Sequence, residues 1–216
     1  MIDLVKRRLK ILTADPRGSI FWRLDDIAQS VSTVPSSWVA YGLAWLWGVD
    51  IARACRFYGV TEFKRYPLSS IQVGAHCVFR SAFRSNWAGL NRPCALSTHR
   101  KYARITIGAH SGFSGTVIGA AEQITIGHHV FCGANSMITD FDWHAISPEA
   151  RHTGGKVGSA PVVIEDNVWL GLNTVVLKGV RIGENSVIGA NSVVVSSIPA
   201  NVIAAGNPAK VIRLLS

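Results

Sequence analysis

The stretch Ile164–Pro199, which divides into IEDNVW, LGLNTV, VLKGVR, IGENSV, IGANSV and VVSSIP, decides the fold. Every unit begins with an aliphatic residue, and three of the six carry glycine second. A period of six is neither the alternation of a lone strand nor the 3.6-residue turn of an amphipathic helix. It suits a parallel β-helix with three short faces per coil, each face supplying one inward aliphatic and ending in a tight corner. The fourth positions, Asn167, Asn173, Gly179, Asn185, Asn191 and Ser197, fit such corners, because asparagine and glycine tolerate the left-handed backbone conformation that a sharp corner demands.

Further toward the N-terminus the same frame returns at Val73 (VGAHCV), Ile107 (IGAHSG), Ile126 (IGHHVF) and Cys132 (CGANSM), which puts His76, His110, His129 and Asn135 at corners. Histidine is enriched in the left-handed conformation as well, so these histidines read as corner residues before they read as a functional column. The frame breaks over Ala82–Lys101, slips by one residue between Ile107 and Ile126, and breaks again over Thr139–Pro161. The expected organisation is an all-β solenoid over residues 68–200, with a mixed, partly helical segment over residues 1–67 capping it and a short tail over 201–216. The polar, Gly-rich excursion 139–161 is where function is expected, since regular coils fix its ends while its own sequence is free.

A chain of 216 residues, 48% hydrophobic and 16% charged, is ordinary for one globular domain. Its net charge of +9 points to an anionic partner: a phosphorylated cofactor, a nucleotide-linked substrate, a membrane surface or nucleic acid. The basic residues are dispersed, without a Cys/His finger, an aromatic RNA-binding signature or a basic arm, so nucleic acid is not expected. Cys55, Cys77, Cys94 and Cys132 lack CxxC spacing, and the charged opening Met1–Lys10 lacks the form of a signal peptide; both predict a cytoplasmic protein with reduced thiols. The apolar stretch Trp38–Ala52 is short for a membrane span. It reads either as a cap on the open end of the solenoid or as a patch resting on a membrane surface.

Together, the hexads, the DFDWH sequence at Asp140–His144, NVWLG at Asn167–Gly171 and AAGNPAKVIR at Ala204–Arg213 resemble the hexapeptide-repeat acyltransferases, in the branch of galactoside, maltose and polysaccharide O-acetyltransferases. The resemblance covers about residues 71–213 and implies a left-handed parallel β-helix, a homotrimer, acetyl-CoA as acyl donor and no metal. It implies a small-molecule acceptor: a sugar, or a nucleotide- or lipid-linked sugar. His144 matches the family's general base, and His152 is its rival. Asp142, two residues before His144, would share its side of an extended segment and orient it or the acceptor; Glu149 is the alternative. Ser114 in GFSGT and Trp169 would line the acceptor site. Gly171 and Ala190 would allow close backbone approach along the coenzyme groove, and Lys210 and Arg213 would meet its phosphates. Relatives often carry proline after the histidine; Ala145 stands there in this chain.

Three other readings stay open. One is N-acylation of an amino sugar, or acylation of a xenobiotic hydroxyl. Another is the β-helix carbonic anhydrase, which needs three histidines on a metal, whereas His144 and His152 lack the usual spacing. The third is a non-catalytic scaffold, against which the DFDWH loop argues.

Overall fold

The computed structural model describes Ile11 and residues 13–215; Met1–Lys10, on which the leader expectation rests, lies outside the described residues. From Asp50 to Val194 the chain visits three sheets in strict rotation. The first holds β1 (Asp50–Ile51), β4 (Ser70–Val73), β7 (Arg104–Ile107), β10 (Gln123–Ile126), β13 (Val162–Ile164) and β16 (Arg181–Ile182). The second holds β2 (Arg56–Tyr58), β5 (Val78–Arg80), β8 (Gly112–Ser114), β11 (Phe131–Cys132), β14 (Trp169–Leu170), β17 (Val187–Ile188), β19 (Val202–Gly206) and β20 (Ala209–Leu214). The third holds β3 (Glu62–Lys64), β6 (Ala95–Thr98), β9 (Val117–Ala120), β12 (Met137–Thr139), β15 (Val175–Val176) and β18 (Val193–Val194). All pairings between these strands are parallel except that of β19 with β20.

The register explains the period of six. Inward positions stack coil on coil: Val73, Ile107, Ile126, Ile164 and Ile182 on the first sheet, and Leu96, Ile118, Ile138, Val176 and Val194 on the third, all buried. Fully burying one such side chain contributes about 1.5–3 kcal/mol, so the repeat specifies one continuous axial core. The corners behave as the sequence predicts. His76, His110, His129, Asn135, Asn167, Asn173, Asn185 and Asn191 all have φ between 55° and 62°, and Gly179 has φ 77°. The three histidine rings stack at 4.8 and 5.0 Å, and the asparagines hydrogen-bond in ladders, Asn167 to Asn185 and Asn173 to Asn191 at 3.0 Å each. Ser197 departs from this: it is outside the left-handed region, Asn201 takes that conformation next (φ 59°), and the Ser197 hydroxyl accepts from the Arg181 N–H at 3.0 Å.

Coils extend beyond the stretch that the hexads mark. Asp50–Lys64 already forms β1–β3, upstream of Leu68, because Phe57 and Phe63 fill inward positions where the later coils use aliphatics. Phe57, Phe79 and Phe113 stack at 5.0 Å each in the second sheet. At the other end residues 202–214 add β19 and β20 to the second sheet. Before β1 lies a helix, α1 (Pro16–Trp47), begun by Asp15, whose carboxylate accepts from the Gly18 N–H at 2.9 Å, and ended by Gly48 at φ 64°. Its C-terminal part caps the first coil: Ala40 and Ala44 are buried, Tyr41 packs edge-on against Phe57, and the Tyr41 hydroxyl donates to the Ala52 carbonyl at 3.1 Å. No helix among the described residues is long and apolar enough to cross a membrane.

Candidate active site

The excursion after β12 is pinned at its base. Asp140 is buried and accepts from the N–H groups of Ala121 at 2.6 Å and Glu122 at 2.8 Å. Burial raises its carboxyl pKa above the usual range, and those hydrogen bonds offset part of the rise. The two limbs pair in antiparallel fashion: Ala160 N–H donates to Asp140, Phe141 bridges Ser159, and Asp142 N–H donates to Gly158. Arg100 clamps the returning limb, donating to the Val157 carbonyl at 2.6 Å and the Ser159 hydroxyl at 3.1 Å. Between the limbs sits a short helix, α2 (Pro148–Thr153), capped by the Ser147 hydroxyl, which accepts from Ala150 N–H at 3.2 Å.

On this base Phe141 and Trp143 lie with ring centres 4.7 Å apart, each 5.0 Å from the ring of His99. An added Cβ on Gly119 would stand 3.1 Å from the Trp143 ring, so a glycine there lets the indole lie on the third sheet. Burial, and secondarily Lys64, lowers the His99 pKa. His144, the next residue after Trp143, is exposed and makes no hydrogen bond or ion pair among the described residues. Asp142 does not reach it: Oδ1 pairs with Lys178 Nζ, and Oδ2 is buried without a partner. Glu149 and His152 lie exposed on α2.

The remaining predicted residues gather on the second sheet. Ser114, Phe131 and Trp169 line one groove of about 300 Å³ together with Arg80, His110 and Ser111. Phe131 and Trp169 are register partners with 57% and 55% of their surfaces exposed, a ready apolar platform. Gly171 is buried where its coil crosses the next; an added Cβ would stand 2.6 Å from the Ala190 nitrogen. The close approach of Gly171 and Ala190 is thus to each other. Lys210 and Arg213 on β20 are exposed, opposite Ala205 and Ile203. They are three apart, and a bulge between these pairings brings both to the outer side. Ser114, Trp169, Lys210 and Arg213 therefore share one face, while His144 and Asp142 leave from the third sheet.

Sequence reading missed Asp140, Arg100, Lys178 and His99. Only Asp140, the first residue of DFDWH, carried a local signal. Among the described residues no cluster of three or more His, Cys, Asp or Glu side chains could hold a metal ion.

Comparison with known proteins places this geometry in a family. Residues 161–196 match the hexapeptide repeat of succinyl-transferase. The chain is 37% identical over 145 residues to a galactoside O-acetyltransferase of Lactococcus lactis, covering 67% of this chain and 63% of the relative. It is 40% identical over 103 residues to a putative lipopolysaccharide biosynthesis O-acetyl transferase of Escherichia coli, covering 44% of this chain and 53% of the relative. The chain thus spans less than two thirds of either relative's length. A hexapeptide-repeat acetyltransferase of Vibrio cholerae, solved with acetyl coenzyme A, superposes with a TM-score of 0.52 at 26% identity, covering 81% of this chain and 74% of that one. The chain belongs to the hexapeptide-repeat acyltransferase family.

Proposed function

We propose that this chain transfers acetyl from acetyl-CoA to a hydroxyl of a sugar or sugar-containing precursor, with His144 as general base. The observation that carries the reading is the 145-residue likeness to the Lactococcus lactis galactoside O-acetyltransferase; the acetyl-CoA bound by the Vibrio cholerae relative supports the donor. A sugar hydroxyl loses its proton far above neutral pH, so the proton has to leave as the new C–O bond forms, and a neutral imidazole takes it. The hydroxyl oxygen attacks the thioester carbonyl carbon and its proton passes to His144. The tetrahedral oxyanion then collapses, the C–S bond breaks, and the imidazolium returns the proton to the leaving thiolate. The transfer is direct, with no acyl-enzyme.

The reading needs more than one copy. His144 projects from the third sheet and the groove of Ser114 and Trp169 lies on the second, so a homotrimer of left-handed β-helices, with one copy's loop beside the next copy's groove, is the arrangement that unites them. Acetyl-CoA would lie along the second sheet with its phosphates at Lys210 and Arg213. Asp142 Oδ2, unpaired among the described residues, is an acceptor for the imidazole N–H or for an acceptor hydroxyl. The reading also assigns the enzyme to the cytoplasm, without a nucleic acid partner.

Thiol release from acetyl-CoA, measured with a panel of neutral sugars, amino sugars and nucleotide sugars, tests this. With His144→Ala, kcat is expected to fall by about a hundredfold or more while coenzyme binding persists. Full activity in the variant would move the base elsewhere. Failure of the wild type to bind acetyl-CoA would remove the transferase reading.

A further inference from the structure

The groove of Ser114 and Trp169 does not end at Ser114. Arg80, the register partner of Ser114 on the neighbouring strand β5, lines it too, and the same arginine lines a second basin of about 370 Å³ between α1 and residues 85–87. Arg80 is held where the two meet: its guanidinium lies 4.5 Å from the centre of the Tyr58 ring and donates to the Ser85 carbonyl at 2.7 Å. In the second sheet β5 stands beside β8 near one end and β20 closes the other. The basin therefore continues the groove away from Lys210 and Arg213.

Its lining combines aromatic faces with positioned hydrogen-bonding groups. Helix α1 contributes Trp22, Asp25, Asp26 and Gln29, and the segment after β5 contributes Asn86 and Trp87. The four helix residues follow one another at three, four and seven places, so they share one side of α1. Trp22 and Trp87 expose 77% and 73% of their surfaces, and neither ring stacks on another among the described residues. Asp25 is engaged within the chain, accepting from Gln29 Nε2 at 2.7 Å and from Arg84 at 3.1 Å. That leaves Gln29 Oε1 as an acceptor. Asn86 Oδ1 accepts from the Ala88 N–H at 2.9 Å, which leaves its Nδ2 as a donor. Asp26 is exposed and makes no hydrogen bond or ion pair among the described residues.

Two open indoles beside separate donors and acceptors match a ring with apolar C–H faces and a rim of hydroxyls, each able to donate and to accept. The charges argue against other occupants. Arg80 and Arg84 balance Asp25 and Asp26 around the basin, so neither a phosphate nor a quaternary ammonium finds the excess of opposite charge that would hold it. We propose that the basin of Trp22 and Trp87 is a second saccharide subsite, which holds sugar units adjoining the one that reacts in the groove. The acceptor is then an oligosaccharide or a glycan chain rather than a free monosaccharide. That statement about the acceptor rests on the acetyltransferase reading; saccharide binding in the basin does not.

Calorimetric titration of the full chain with mono-, di- and trisaccharides of galactose and of glucose, without acetyl-CoA, reads the subsite alone. In at least one series the trisaccharide is expected to bind at least about tenfold more tightly than the monosaccharide. Trp22→Ala and Trp87→Ala should each remove that difference, while Trp22→Phe, which keeps an aromatic face, preserves it. Trp45→Ala is the control, since Trp45 is 80% exposed and outside the basin. Equal affinity for short and long saccharides in the wild type overturns the subsite. So does a length preference that survives both alanine variants, or one that Trp45→Ala removes equally, or binding of choline in place of any saccharide. In thiol release, kcat/KM is expected to rise with acceptor length. Length-dependent binding without acetyl transfer to any sugar keeps the subsite and removes the transferase reading; transfer indifferent to length overturns the assignment of a chain acceptor.

Discussion

Asp142 faces Lys178 rather than the histidine two residues on, and this pair ties the loop to the corner that follows β15, three strands further along the chain. Both side chains are mostly shielded, exposed by 25% and 33%, so removing the cation leaves a poorly solvated carboxylate. Lys178→Met should therefore destabilise by about 1–3 kcal/mol, between the values for surface and buried pairs. If Asp142 only anchors the loop, Asp142→Asn combined with Lys178→Met restores the melting temperature and the activity together, since the neutral pair needs no partner. If Asp142 also orients His144 or the acceptor, stability returns and kcat does not. Thermal melts beside steady-state kinetics on the two variants separate these outcomes.

At the scale of elements, corner and stacking chemistry set the coil. Gly171→Ala adds a methyl 2.6 Å from the Ala190 backbone nitrogen, a contact neither coil relieves by rotating a side chain. Overpacking of this kind costs about 1–3 kcal/mol, so the melting temperature should drop by roughly 2–10 °C; an unchanged melt would show that the coils separate there at no cost. The same local rules made most of the coils legible. One backbone conformation recurs at each fourth position, and His76, Asn167 and Asn191 obey it through nearest-neighbour sterics alone. The first coil escaped the frame because Phe57 and Phe63 do inside it what isoleucine does elsewhere. Within the site, DFDWH marked the loop, but its supports did not show. Arg100 reaches Val157 and Lys178 reaches Asp142 across long separations in the chain, and no local pattern encodes which distant group a long side chain meets. The groove of Ser114 and Trp169 was foreseen as two separate residues; parallel register made it one surface.

For the molecule as a whole, the net charge of +9 becomes useful where it lies beside a binding face. Lys210 and Arg213 stand on the outer side of the second sheet, exposed, with no acidic partner among the described residues. An anionic donor such as acetyl-CoA, drawn to that end of the groove, would gain from each cation only what solvent screening leaves, about 0.2–1 kcal/mol per exposed pair. Screening strengthens as the Debye length shrinks from about 10 Å at 0.1 M salt toward 3 Å at 1 M. The KM for acetyl-CoA is thus expected to rise about three- to tenfold between 0.05 and 0.5 M NaCl, with kcat nearly constant, because the cations sit far from the proton transfer. Lys210→Gln with Arg213→Gln should raise KM at low salt and flatten its salt dependence. A double variant that keeps the wild-type slope would mean that the phosphates meet other cations, and Arg80, in the groove with Ser114 and Trp169, would be the next to replace.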